Sequence, residues 1–167
     1  MDIASIFEAS VERYPDHTAL VYEDRRWTYA EWRGRVRRFA QSLADLGVRP
    51  GDRVAFYVST SENSVTTYFA CQLLGAVAVP LNFRLSPGEV AEVLQDSGSR
   101  VLVYGRYLTD NALKVLERLK KQQKADFPGG IGPPHGGSNT ETRTIASSCS
   151  ALEAQPSRIA PSQKGQR

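Results

Sequence analysis

Two apolar patterns alternate along this chain: residues recurring at helical spacing, and short unbroken runs bounded by turn residues. Ile3, Ile6, Phe7 and Val11 define a first amphipathic helix, with Asp2 placed to cap it and Pro15 marking its end. "TALVYEDRRWTY" then alternates around Glu23 and Asp24, which predicts a small hairpin ending near Trp27. Thr28 followed three residues later by Glu31 is a capping box, in which each side chain satisfies a free backbone N–H at a helix start. Trp32, Val36, Phe39, Leu43 and Leu46 line one side of that helix, and Gly47 supplies a left-handed stop.

"VRPGDRVAFYVS" reads as a Pro-Gly turn into a strand over Val54 to Val58, an apolar run suited to a parallel sheet covered on both faces. Ser61 is placed to cap the next helix, which carries Val65, Tyr68, Phe69, Leu73 and Leu74. That helix is apolar almost all round in its second half and is expected to be central. Gly75 ends it, Ala76 to Val79 forms the next strand, and Pro80 closes the strand. Ser86, Pro87 and Glu89 make a second capping box with proline at the first helical position, opening a helix over Pro87 to Asp96. "SRVLVYG" is a third buried strand, and Asp110 is expected to cap a last helix through Val115 and Leu119. Alternating strands and helices predict an α/β fold, a parallel sheet with right-handed crossover helices.

Composition divides the chain. After Phe127 there is no Phe, Trp or Tyr, and Gly, Pro, Ser, Thr, Gln and Ala dominate. Such a stretch buries too little apolar surface to offset roughly 1–2 kcal/mol of backbone entropy per ordered residue. The expected organisation is a domain over 1–121 and a disordered Gly/Pro/Ser-rich tail over 122–167. "LKKQQKAD" can be encoded by A-rich codons, so the tail reads as the product of a frame shift between Leu119 and Phe127, with an evolved linker as the alternative. "FPGGIGPPHGG" (127–137) is glycine-rich but is followed by "SNTETRT" and not by the lysine of a phosphate loop, so it reads as a linker.

The net charge of +3 gives no nucleic-acid footprint. Arg33, Arg35, Arg37 and Arg38 cluster on one helix but spread around it, the pattern of a solvated face. Cys71 and Cys149 have neither metal nor disulfide spacing and read as reduced thiols. His17 and His135 have no partner constellation, and Asp52 in its Pro-Gly-Asp turn is placed to bond its own backbone. The N-terminus carries acids where a signal peptide carries bases, and no apolar run approaches the ~20 residues of a membrane span, so the expected location is cytoplasmic.

"TYAEW", "LGVRPGDRVAFYV" and "LLGAVAVPLNFRLSPGEVAEVLQDSGSRVLV", in this order and at this spacing, resemble the opening of the AMP-forming adenylating enzymes. These are the acyl-CoA synthetases, luciferases and peptide-synthetase adenylation domains. The likeness covers about Ile6 to Leu119, and "PLNFRLSPGE" is more similar to fatty-acyl or aryl CoA ligases. The resemblance implies the N-terminal part of the family's large domain. It also implies, for a full-length member, ATP, Mg²⁺ and coenzyme A: a carboxylate reacts to an acyl-adenylate and is then passed to a thiol. The family's Ser/Thr/Gly-rich loop ending in Pro-Lys-Gly, its aromatic-Gly-x-Thr-Glu segment, its ribose-binding Asp and its C-terminal lysine have no counterpart in this sequence. No catalytic, cofactor-binding or metal residue is therefore expected. Three readings stay open: an interrupted ligase inactive alone, one piece of a split ligase completed by another polypeptide, and a non-catalytic binding module. Self-association through an uncovered sheet is expected in the first two.

Overall fold

The computed structural model describes residues 2–126 and 143–147. In chain order they form α1 (Ile3–Arg13), a hairpin of β1 (Thr18–Tyr22) and β2 (Arg25–Thr28), α2 (Tyr29–Asp45), β3 (Arg53–Tyr57), α3 (Glu62–Leu73), β4 (Val77–Leu81), α4 (Pro87–Ser97), β5 (Val101–Gly105), a 3₁₀ turn (Arg106–Leu108), α5 (Thr109–Asp126) and β6 (Arg143–Ser147). The larger sheet has the order β4-β3-β5-β6 and is parallel throughout. β1 and β2 pair antiparallel in a sheet of their own, turning at Glu23 with φ 52°.

The sheet is doubly wound. Val54, Phe56, Val101 and Val103 point to one face, where α1, α2 and α3 pack through Phe7, Trp32, Val36, Leu43, Ala70 and Cys71. Ala55, Tyr57, Leu102 and Tyr104 point to the other, under Val90, Ala91 and Leu94 of α4 and Ala112 and Val115 of α5. Right-handed crossovers impose this division, because the step from β3 to β4 runs one way across the sheet and the steps to β5 and β6 run the other. With both faces covered, the central strands are uniformly apolar.

Both expected capping boxes are present. The Glu31 N–H donates to Thr28 Oγ1 at 3.2 Å while the Thr28 N–H donates to Glu31 Oε2 at 2.9 Å. The Glu89 N–H donates to Ser86 Oγ, and the Ser86 N–H donates to Glu89 Oε2 at 2.7 Å. Gly47, Gly75 and Gly98 turn the chain at positive φ after α2, α3 and α4.

Several local expectations are corrected. Pro80 lies inside β4 and does not close it; β4 is an edge strand, where a missing N–H costs no ladder bond. Asp110 does not cap α5. That helix runs directly out of the 3₁₀ turn from Thr109, and Asp110 sits in its first turn, where the helix dipole favours an acid. Of the first helix's apolar residues, Phe7 and Val11 are buried while Ile3 and Ile6 are exposed. The large apolar residues of α3 are half-buried, because Thr66, Ala70 and Cys71 form its most buried stripe. Within the expected tail over 122–167, which is not corrected, the described residues are the end of α5, to Asp126, and β6, which pairs with β5 from Val101↔Arg143 to Gly105↔Ser147. The "FPGGIGPPHGG" segment, His135 and Cys149 lie outside the described residues.

Candidate functional site

In an open parallel sheet, ligands bind beyond the carboxyl ends of the strands, at the point where successive connections leave for opposite faces. Here that point lies between β3, whose chain departs to α3, and its neighbour β5, whose chain departs to α5 on the other face.

The loops at this crevice are held by specific bonds. The Tyr107 hydroxyl accepts the Ser59 N–H, tying the chain after β5 to the chain after β3. Tyr107 reaches back only because residue 105 is glycine: a Cβ there would stand 2.5 Å from Tyr107 Cε1. Behind this bridge, the buried Tyr57 donates its hydroxyl proton to the Leu85 carbonyl in the loop after β4. Tyr22, at the end of β1, feels the same site. Its phenol is pushed up first by the adjoining Glu23 carboxylate, then by desolvation, Glu62 and Tyr107.

Glu62 opens α3 and is buried, with Asn63 Nδ2 donating to its Oε1 at 3.1 Å. Ser61 occupies the cap position, in a capping box with Ser64. Its hydroxyl donates to the Ser59 carbonyl, and its N–H goes to Ser64 Oγ. The Ser64 and Val65 N–H groups both donate to the Ser61 carbonyl. ATP and Mg²⁺, which the resemblance implies for a whole enzyme, do not fit this arrangement. A triphosphate needs converging free N–H donors at a helix start and a cation beside them. At α3 the N–H groups of Ser59, Ser61 and Ser64 are engaged, those of Glu62 and Asn63 alone are left open, and a buried carboxylate holds the end of the dipole.

Other singled-out residues are structural. Asp52 Oδ2 accepts the Arg49 N–H at 2.8 Å, as its turn position suggested, and Asp52 Oδ1 pairs with Arg100 at 3.1 Å. Burial would raise the Asp52 carboxyl, but these bonds hold it below the usual range. His17 stacks on Tyr14, ring centroids 5.2 Å apart. Cys71 is buried and free. Among the described residues no group of three or more His, Cys, Asp or Glu is placed to hold a metal, and no helix is long and apolar enough to cross a membrane.

The arginine cluster meets its expected role as a solvated face at Arg37 and Arg38, which are exposed, and departs from it at Arg35. Arg33 and Arg37 share Glu8 of α1, at 3.5 and 3.1 Å, and Arg35 is buried. Sequence reasoning also passed over Glu62 and Tyr107, and counted Arg35 among surface cations. The available signals were an acid directly after a Ser-Thr-Ser loop, an aromatic two residues beyond a strand-ending glycine, and an arginine one residue before Val36 on the apolar side of α2.

Fold and site together define the strand-and-crossover segment of a doubly wound α/β enzyme domain. The chain belongs to the AMP-binding enzyme family, whose model matches residues 7–162. It is similar to a feruloyl-CoA synthase from Amycolatopsis, 47% identical over 90 residues, covering 54% of this chain and 18% of that protein. It is also similar to a long-chain-fatty-acid–CoA ligase of Mycobacterium tuberculosis, 39% identical over 108 residues, covering 65% and 20%. Among solved structures, a benzoate CoA ligase from Burkholderia xenovorans superposes with a TM-score of 0.66 at 26% identity, over 70% of this chain and 24% of that one. The chain thus spans about a fifth of the length of the curated relatives it matches.

Proposed function

We propose that this chain is the N-terminal sheet segment of an ATP-dependent acyl- or aryl-CoA ligase and carries no adenylating activity by itself. The observation that carries the reading is the crevice between β3 and β5. Its helix start is occupied by the Glu62 carboxylate and several of its turn N–H groups are already bonded, so nothing there replaces the phosphate loop that the sequence lacks. Adenylation stabilises charge developing between two phosphates, and that requires donors and a metal from elsewhere in the enzyme.

The role left to this segment is architectural. β3, β4 and β5 and their helices form a core against which further elements of the ligase pack, and the acyl substrate is selected outside it. The relatives act on an aryl acid and on long-chain fatty acids according to their names, and either class of carboxylate suits the reading. Titration calorimetry of the purified chain with ATP and Mg²⁺ tests it. The expected result is no saturable heat, and binding that requires both nucleotide and metal would refute the reading.

A further inference from the structure

We infer that Arg35 is the seat of a carboxylate carried by a second stretch of polypeptide, the one that completes the ligase fold around this segment. The inference rests on the reading of the chain as one part of a larger enzyme.

α2 supplies its own comparison. Arg33 and Arg37 point to Glu8 and share its single carboxylate. Arg35 is only 9% exposed, yet it has no ion pair or hydrogen bond among the described residues, and its Nε is sealed from solvent without an acceptor. Its one recorded interaction is with Trp27 of β2, whose ring centroid lies 5.3 Å from the guanidinium carbon. Trp27 stands opposite Leu20 in the hairpin, so Arg35 lies where the hairpin meets α2.

A buried guanidinium is costly unless its charge and its donors are both answered. An aromatic face answers part of the charge and none of the N–H groups. Glu31, one turn away, is engaged with the Thr28 N–H, and Glu8 with the other two arginines. The acceptor therefore comes from outside the described residues. The guanidinium N–H groups lie in one plane and form a fork, and Nε is the donor of that fork sealed without an acceptor. A carboxylate matches that fork with two parallel bonds and cancels the charge, whereas a carbonyl takes a single bond and leaves the charge. Arg35 is 9% exposed, so an acceptor that arrives on a polypeptide closes the site with its own covering surface, which a hydrated ion lacks. The relatives are about five times as long as the matched region, which gives such a polypeptide ample chain.

The test uses the full 167-residue chain and, as probe, the portion of the Amycolatopsis feruloyl-CoA synthase that follows its region of similarity, purified separately. Titration calorimetry is expected to show saturable binding to the wild-type chain. Arg35→Met is expected to weaken it by at least about tenfold, as loss of one partner of a buried charge pair does, with Arg35→Lys intermediate. The free Arg35→Met chain is expected to melt no lower than wild type, because an unanswered buried charge has been removed. If Arg35→Met does not fold, Arg35→Lys and Arg35→Gln carry the comparison. Equal binding by Arg35→Met, or no binding by the wild-type chain, overturns the proposal. So does stabilisation of the wild type but not Arg35→Met by inorganic phosphate, which assigns the seat to a free anion. Docking that ignores Arg35 would leave the functional reading intact, and ATP binding by the chain alone would overturn that reading without touching Arg35.

Discussion

Cys71 is sealed on the inner side of α3 at 0% exposure, and burial pushes its thiol from the ordinary 9.0 up to about 12. The folded chain therefore holds this proton more tightly than the unfolded chain. The stability linked to it is whole below about pH 9 and is lost as the pH rises toward about 12. In a Cys149→Ser background, Cys71 is expected to resist a thiol reagent at pH 8 until denaturant is added; stoichiometric labelling of the native chain would contradict its burial. Gly105 and Tyr107 make a second residue-scale case. Gly105→Ala drives a Cβ into the Tyr107 ring and should break the bond to the Ser59 N–H, and Tyr107→Phe removes the same bond directly. Each is expected to cost about 1 kcal/mol in urea melts. The double variant is expected to cost no more than the larger single one, since both act on one contact; simple addition would mean that the contact is not shared.

Elements were the most legible level, because their signals are local. The boxes Thr28–Glu31 and Ser86–Glu89 fixed the starts of α2 and α4, and the runs around Val54 and Val101 marked strands covered on both faces. Thr28→Ala is expected to destabilise the chain by about 1 kcal/mol, measured by the urea midpoint, with the slope unchanged. The α4 cap also has a pH signature. The Ser86 backbone N–H, then its hydroxyl, hold the Glu89 carboxyl below its ordinary 4.5, so the cap's contribution is present above that value and is lost on acidification. Glu89→Gln should flatten the acid side of the stability profile. What escaped the sequence depended on neighbours far along the chain. Pro80 continues its strand because β4 is an edge, and Ile3 and Ile6 remain exposed because α1 buries only the side carrying Phe7 and Val11. Arg35 looked like one of four surface cations until α2 met the hairpin. The crevice was illegible for the same reason: Tyr22, Glu62 and Tyr107 come from three separate segments, and only the crossover order brings them together.

At the scale of the whole molecule, a parallel sheet ends on one side in β4, whose Val77 is half exposed and whose outer edge is unpaired among the described residues. Such an edge templates further strands. Sedimentation of the chain is expected to show concentration-dependent association that Val77→Lys reduces; a monomer at all concentrations would mean that the edge is already protected. The central claim concerns chemistry. Family membership extends over residues 7–162, yet the crevice where the fold would place a nucleotide presents a buried acid and hydroxyls already in use. Carboxylate-dependent ATP–pyrophosphate exchange by the purified 167-residue chain, with ferulate, benzoate and a long-chain fatty acid offered in turn, tests that claim most directly. The account predicts exchange indistinguishable from a blank without protein, and exchange that requires both the carboxylate and Mg²⁺ would contradict it.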